Sequence, residues 1–223
     1  MVRPGGVNHL ITRAGHTTAQ STNWSGYAAT GGNGGFTSVS ASWTEPTATC
    51  GGHGSQYASF WVGLDGYNSN SVEQTGTDAD CSNRTPVYYG WYEMYPAFPV
   101  NFSNPVRPGD QMSASVTFSG SSTFTLVLQD ATQGWTQTIT QNQSGLARSS
   151  AEVITEAPSS NRGVLPLANF GTVTYSVSRA NGTSLGTQNP VQIIMVDNSG
   201  KQKDSTSAIN SNGGFSNTWL RAN

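Results

Sequence analysis

The chain has 223 residues, of which 35% are hydrophobic and only 10% are charged, with a formal net charge of −2 at pH 7. A charge this close to zero gives no basic surface for nucleic acid, and the sequence lacks the run of about 20 apolar residues that a membrane span needs. Few ionisable groups mean few protonation changes as pH falls, which suits a protein secreted into an acidic, extracellular medium.

The first twenty residues contain histidines and arginines without periodicity, and they lack the apolar stretch of a signal peptide. We expect residues 1–20 to be a leader remnant or a disordered tail. Residues 21–223 contain no linker and no internal repeat, so we expect them to form one domain.

The rest of the chain alternates short apolar-polar segments with Gly, Pro, Asn and Asp, and no helical periodicity reaches ten residues. The predicted strands are residues 36–43, 57–64, 72–77, 87–95, 111–118, 123–129, 136–140, 151–156, 172–178, 191–196 and 215–220. Many short strands separated by turns are typical of an all-β fold, a two-sheet antiparallel β-sandwich or jelly roll.

The segment 87–95 is unusually aromatic. Alternation places Tyr89, Trp91, Glu93 and Tyr95 on one face of this strand. An acid among aromatic residues is unusual for a core-facing row, so this face is predicted to form the wall of a cleft. The alternative is a solvent-exposed face whose rings pack against a loop.

The two cysteines, Cys50 and Cys81, are either buried thiols or a disulfide. The Asn- and Ser-rich, weakly charged composition favours a disulfide formed in an oxidising compartment.

The sequence offers few histidines for catalysis or metal binding. Two of the three histidines, His9 and His16, lie in the N-terminal segment, and His53 lies in a glycine-rich loop. A histidine-based zinc site or a Ser-His-Asp triad is therefore not expected, and any catalyst should be a carboxylate, an amide or a hydroxyl.

Two glutamates, Glu152 and Glu156, lie on the same face of one predicted strand. Four residues of strand span about 13 Å, whereas glycosidase carboxylates stand about 5–9.5 Å apart. The two are therefore badly spaced for a glycosidase pair, and one of them is predicted to be catalytic and the other structural.

Six motifs in the same order resemble those of the eqolisins, the glutamic peptidases. They are Asn23-Trp24-Ser25-Gly26, Trp61-Val62-Gly63-Leu64-Asp65-Gly66, Glu73-Gln74-Thr75-Gly76-Thr77-Asp78, Trp91-Tyr92-Glu93-Met94-Tyr95-Pro96, Ala151-Glu152-Val153-Ile154-Thr155-Glu156 and Phe170-Gly171-Thr172-Val173. The family has leucine where this chain has Glu73, and tryptophan where it has Val153. The resemblance implies a concanavalin A-like sandwich with a concave cleft, an acidic working pH and no metal or other cofactor.

The resemblance also assigns residues. The catalytic pair of the family falls on Gln74 and Glu156, with Glu152 as the competing assignment for the glutamate. Asp65, Asp78 and Glu93 match acidic motif positions; either they form a buried cluster that holds Gln74, or each caps a turn or faces solvent. The tryptophans that could line the cleft are Trp24, Trp61 and Trp91.

The chemistry of such a pair suits peptide hydrolysis. A carboxylate at Glu156 can take a proton from water and return it to the leaving amine, and the Gln74 amide can donate to the oxyanion. A carboxyl near its reference pKa of about 4.3 is best matched to acidic conditions. The resemblance thus implies an acid endopeptidase acting on polypeptides, expected to be a monomer without nucleic-acid or membrane partners.

Two other functions stay open at this point. A carbohydrate-binding, lectin-like jelly roll would explain the aromatic row and the polar surface, but not the combination of motifs around Gln74, Glu93 and Glu156. An inactive member that only binds peptides is the other alternative, and the retained glutamine and glutamate argue against it.

Overall fold

The computed structural model describes residues 10–14, 18–51 and 54–223. These residues form strands and one short 3-10 helix, Leu185–Thr187. The strands are β1 (Leu10–Ala14), β2 (Thr18–Ser21), β3 (Trp24–Thr30), β4 (Ser38–Thr44), β5 (Ser59–Leu64), β6 (Val72–Ser82), β7 (Thr85–Tyr95), β8 (Val100–Asn101), β9 (Gln111–Phe118), β10 (Thr123–Asp130), β11 (Trp135–Asn142), β12 (Ser150–Glu156), β13 (Ser159–Ser160), β14 (Gly163–Val164), β15 (Thr172–Ala180), β16 (Thr183–Ser184), β17 (Val191–Met195), β18 (Asp204–Thr206) and β19 (Phe215–Trp219).

Two large sheets make up the fold. One has nine strands in the order β1-β2-β17-β3-β12-β5-β6-β7-β8, and the other has eight, with β16 paired to β15 beside the path β11-β10-β9-β4-β15-β19-β18. The named strands pair antiparallel except for β2 and β17, which are parallel. The prediction of an all-β, two-sheet sandwich is confirmed.

All eleven predicted strands are present, with ends that differ by a few residues from the prediction, and β9 matches it fully. The sequence did not predict the two-residue strands, which are too short to show alternation, nor β18. It also missed β3 as an alternating segment, because both faces of β3 are buried. Within residues 1–20, for which no strand was expected, the structure describes β1 and β2 at the edge of the nine-stranded sheet.

The main core lies between the two sheets. It is built from inward-facing residues of both, such as Phe60 and Val62 on β5, Val153 on β12, and Val116 and Leu126 on the opposite sheet. Fully burying side chains of this size stabilises a fold by about 1.5–3 kcal/mol each. This burial fixes which face of β5 and β12 points inward.

Because side chains alternate along a strand, the neighbours of these residues point away from the eight-stranded sheet. A second, smaller apolar cluster lies there and contains Trp24, Trp61, Trp91 and Ile154. We call this side of the nine-stranded sheet the outer face. It is the face that carries the candidate catalytic residues.

The disulfide between Cys50 and Cys81 is present, which confirms the predicted pairing. It joins the loop after β4 to the end of β6. Among the described residues, no helix has the length and apolar character needed to cross a membrane.

Candidate active site

Strand register arranges the outer face in cross-strand rows. Glu156 on β12 lies opposite Ser59 on β5, which lies opposite Asp78 on β6. Two rows away, Gly63 lies between Glu152 and Gln74, and Gln74 pairs with Glu93 on β7. Register alone therefore puts Glu152, rather than Glu156, in the row of Gln74.

Between these rows lies the Trp61 indole, which spans the outer face. A Cβ atom at Gly63 would lie 2.9 Å from the ring of Trp61 and 3.2 Å from the Cβ of Gln74. At Gly76 a Cβ would lie 2.6 Å from the Cβ of Trp61 and 2.1 Å from the Phe60 carbonyl oxygen. At Gly63 the ring of Trp61 occupies the space that a larger residue would need, and at Gly76 the Phe60 carbonyl oxygen and the Trp61 Cβ occupy it, so glycine is required at both positions.

The other end of this indole holds Glu156. Trp61 Nε1 donates to Glu156 Oε2 at 2.9 Å, and Asn23 Nδ2 donates to Oε1 at 3.4 Å. Trp24 packs edge-on against Trp61, with ring centroids 4.8 Å apart. Glu156 is thus oriented by two donors and enclosed by indole rings.

Burial dominates the electrostatics of Glu156, which is 0% exposed. It raises the pKa of Glu156 well above the ordinary value of 4.5; the Trp61 hydrogen bond lowers the pKa, and the charges of Glu93 and Asp78 raise it. The expectation of a carboxyl near its ordinary pKa was therefore wrong. The physical reason is desolvation, which disfavours the ionised form.

Gln74 is held by Glu93. Gln74 Nε2 donates to Glu93 Oε2 at 2.8 Å, and both side chains are fully buried. The charge of Glu93 also acts on Glu156, more strongly than that of Asp78. Electrostatics thus links Glu156 to the Gln74–Glu93 pair, although Glu156 lies two rows away in register.

Asp78 anchors the third tryptophan of the face. Trp91 Nε1 donates to Asp78 Oδ1 at 2.6 Å, and the Tyr89 hydroxyl contacts Asp78 Oδ2 at 2.8 Å. Trp91 and Glu93 are fully buried and Tyr89 is partly buried. The alternative of a solvent-exposed face for residues 87–95 was therefore wrong.

Glu152 belongs to a different group of acids. It lies beside Ser150, and the acidic charges that act on it are those of Asp65 and Glu73. Asp65 accepts hydrogen bonds from the backbone N–H groups of Arg148 and Ser149, at 2.6 and 2.9 Å. Among the described residues, Glu93 therefore accepts the hydrogen bond from Gln74. Asp65 does not contribute to holding Gln74; it anchors the loop before β12.

Sequence reasoning missed two residues of this site. Asn23 opens the first of the six motifs and could have been found there. Asp80 carried no such signal, since its contact with Tyr89 depends on the register between β6 and β7. His9, His16 and His53 lie outside the described residues. Within the described ranges, no group of three or more His, Cys, Asp or Glu is arranged to hold a metal ion.

Residues 22–219 match the model of the peptidase A4 family. The chain belongs to this family. It is 29% identical over 211 residues to aspergillopepsin-2 of Aspergillus niger, an alignment that covers 82% of this chain and 73% of the relative.

Solved structures agree with the assignment to the peptidase A4 family. Scytalido-glutamic peptidase, solved with a transition-state analogue inhibitor, aligns with a TM-score of 0.75 and 26% identity over 89% of this chain and 98% of its own. Aspergilloglutamic peptidase from Aspergillus niger aligns with a TM-score of 0.65 and 26% identity, over 74% of this chain and 99% of its own. The resemblance to the eqolisins is confirmed, and the protein is a glutamic endopeptidase.

The Glu73 position, where the eqolisin motif has leucine, generates a prediction about stability. Burial, with a contribution from the Asp65 charge, raises the pKa of Glu73 to about 9. The folded state therefore keeps a proton that the unfolded chain releases above its ordinary pKa of 4.5. The stability that Glu73 contributes is complete below that value and is lost as pH rises towards about 9.

Replacing Glu73 with leucine should therefore flatten the fall in unfolding free energy between about pH 5 and pH 8, by on the order of 1 kcal/mol per pH unit. Urea unfolding at several pH values measures this. Asp197→Asn is the control, because the hydrogen bonds of Asp197 to Ser199 and Lys201 hold its pKa below the ordinary range, so it stays ionised throughout this pH range. Equal pH dependence in Glu73→Leu and the unmodified protein would contradict the prediction.

Proposed function

We propose that this protein is a secreted acid endopeptidase in which Glu156 and Gln74 hydrolyse peptide bonds with one activated water. The observation that carries the proposal is the electrostatic link on the outer face. The acid that holds the Gln74 amide, Glu93, is also the acid whose charge acts most strongly on Glu156.

Glu156 supplies the proton transfers. Its carboxylate takes a proton from the water as the water oxygen bonds to the peptide carbonyl carbon, and the π electrons move to the carbonyl oxygen. When the tetrahedral intermediate collapses, Glu156 returns this proton to the nitrogen as the C–N bond breaks. The products are a carboxylic acid and an amine.

Gln74 supplies the uncharged donor. One N–H of its amide is used by Glu93, which leaves the second N–H for the developing oxyanion. Its carbonyl oxygen, Oε1, is buried and accepts no hydrogen bond from the described residues, so it can orient the attacking water. Because glutamine does not ionise, its own donor and acceptor persist at every pH.

The raised pKa of Glu156 affects the pH range in which the enzyme can work. The carboxylate is a stronger base than a free glutamate, and its acid form persists to higher pH as a proton donor. Gln74 and Glu156 are both fully buried, so the chain around them must open before a peptide reaches them.

The wider setting is also part of the proposal. Polypeptides are the expected substrates, and crystal structures of scytalido-glutamic peptidase contain a transition-state analogue inhibitor and a peptide-based transition-state analogue. The disulfide and the low charge content are compatible with secretion, and we expect a monomer. Membership of a peptidase family argues against the carbohydrate-binding alternative.

The catalytic pair is tested by substitution. Glu156→Gln keeps the shape and removes the proton acceptor, and Gln74→Ala removes the oxyanion donor. Each should lower kcat/KM by about 100- to 1000-fold on a peptide substrate. Because the two groups act on one intermediate, the double variant should be much less impaired than the product of the single effects.

Glu152→Gln is the matched control, on the same strand and face. It should lose far less activity than Glu156→Gln, with thermal unfolding used to show that each variant is folded. Full activity in Glu156→Gln together with an inactive, folded Glu152→Gln would reverse the assignment.

The role of Glu93 is tested by the pH profile. Glu93→Gln keeps an acceptor for the Gln74 amide but removes a charge that raises the pKa of Glu156. The acid limb of kcat/KM should therefore move to lower pH, by on the order of half a pH unit, with kcat largely retained. Glu93→Leu should show the same shift with a lower kcat, since Gln74 loses its anchor. An acid limb that stays in place or moves upward in Glu93→Gln would contradict the assignment.

A further inference from the structure

The hydroxyl group of Tyr89 lies between two buried carboxyls. Its oxygen is 2.8 Å from Asp78 Oδ2 and 2.9 Å from Asp80 Oδ2. Both aspartates are on β6, two residues apart, and Tyr89 pairs with Asp78 across to β7. Asp80 is only 5% exposed, and none of the six motifs includes it.

Counting protons constrains this arrangement. A tyrosine hydroxyl has one hydrogen and can donate to only one of the two carboxyls. Two oxygen–oxygen contacts this short each need a hydrogen between the atoms. One of the two carboxyls must therefore carry a proton and donate it to the Tyr89 oxygen.

The other contacts place this proton on Asp80. Asp78 accepts from Trp91 Nε1 at 2.6 Å, whereas Asp80 accepts from the Ala58 backbone N–H at 3.2 Å. The shorter, stronger donor favours the ionised form of Asp78.

The surrounding charges agree with this placement. Burial raises the pKa of Asp80 to about 9 and that of Asp78 to about 7. The charges that act on Asp80 are those of Asp78 and Glu45, both acids, so they also favour its neutral form.

We propose that Asp80 is a positioning residue for the reaction. As a neutral acid it donates a hydrogen bond to Tyr89, and Tyr89 donates one to Asp78. Asp78 is thereby held as the acceptor for Trp91 and as a negative charge that faces Glu156. The catalytic part of this proposal rests on the proposed function, but the protonation of Asp80 does not. The order of donors runs along β6 and β7 towards the row of Glu156.

The chain of donors determines how much negative charge Asp78 presents to Glu156. If Asp80 were ionised, it would compete with Asp78 for the single proton of Tyr89. Asp78 would then lose a donor and would more readily become neutral. Since the charge of Asp78 raises the pKa of Glu156, this loss would lower the pKa of Glu156.

The protonation is tested without any activity. Infrared difference spectra of the folded protein at about pH 8, above the pKa of Asp78 and below that of Asp80, compare the unmodified protein with Asp80→Asn. The variant should lose the C=O stretching band of a neutral carboxylic acid. Loss of carboxylate bands instead would overturn the proposal. Asp197→Asn removes an ionised carboxylate and shows what that loss looks like.

The positioning role is tested by the pH profile of kcat/KM. The side-chain amide of Asp80→Asn can donate to Tyr89 as the neutral acid does, so activity should stay within about twofold and the profile should keep its position. Asp80→Ala and Tyr89→Phe should both move the acid limb to lower pH, and the double variant should move it no further than Tyr89→Phe alone.

Two results would overturn the positioning role. In the first, Asp80→Asn shifts the profile as much as Asp80→Ala does, which would make the charge of Asp80 the active property. In the second, none of the variants shifts the profile. If thermal unfolding shows that Asp80→Ala is not folded, the position of the acid limb is compared between Tyr89→Phe and Asp80→Asn instead. Absence of peptide hydrolysis in the unmodified protein would contradict the proposed function alone, and the infrared result would still decide the protonation.

Discussion

Carboxyl groups buried away from water are the constraint on which the rest of this molecule depends. Burial raises the pKa of acids on several strands and in the adjoining loops: Glu45, Glu73, Asp78, Asp80, Glu152, Glu156 and Asp204. Taking an ionised carboxylate out of water costs several kcal/mol, whereas its neutral form is hydrogen-bonded at much lower cost. The folded state therefore favours conditions in which these groups hold their protons, whereas the proposed chemistry uses the ionised forms of Asp78 and Glu156.

The same constraint joins stability to chemistry. An acid medium keeps Glu45 and Glu73 neutral inside the fold, whereas the first step of the proposed hydrolysis uses the ionised form of Glu156. Glutamine suits this setting as the partner of Glu156, because a second ionisable group would add another charge to a face already rich in acids. Gly63 leaves room for the indole that bonds Glu156, and Gly76 lets β6 lie close to Phe60 and Trp61 on β5.

Much of the fold could be predicted from sequence. Strands with one buried face, such as β9 and β10, show strict alternation, whereas β3 is buried on both faces and does not. The motifs named Gln74 and Glu156, and strand register puts both residues on the outer face of the nine-stranded sheet. The roles of Tyr89 and Asp80 could not be predicted, since they require the register between β6 and β7. The raised pKa of Glu156 depends on tertiary burial, which a single strand pattern does not reveal.

The central claim is that water is activated by a glutamate and a glutamine, without a metal ion, a nucleophilic side chain or a pair of aspartates. The most direct measurement is hydrolysis of a denatured protein from about pH 2 to pH 8, with a chelator, serine and cysteine reagents, or pepstatin added separately. We expect cleavage at acidic pH that is unchanged by every reagent. Cleavage that is lost with the chelator and restored by added metal would contradict the claim.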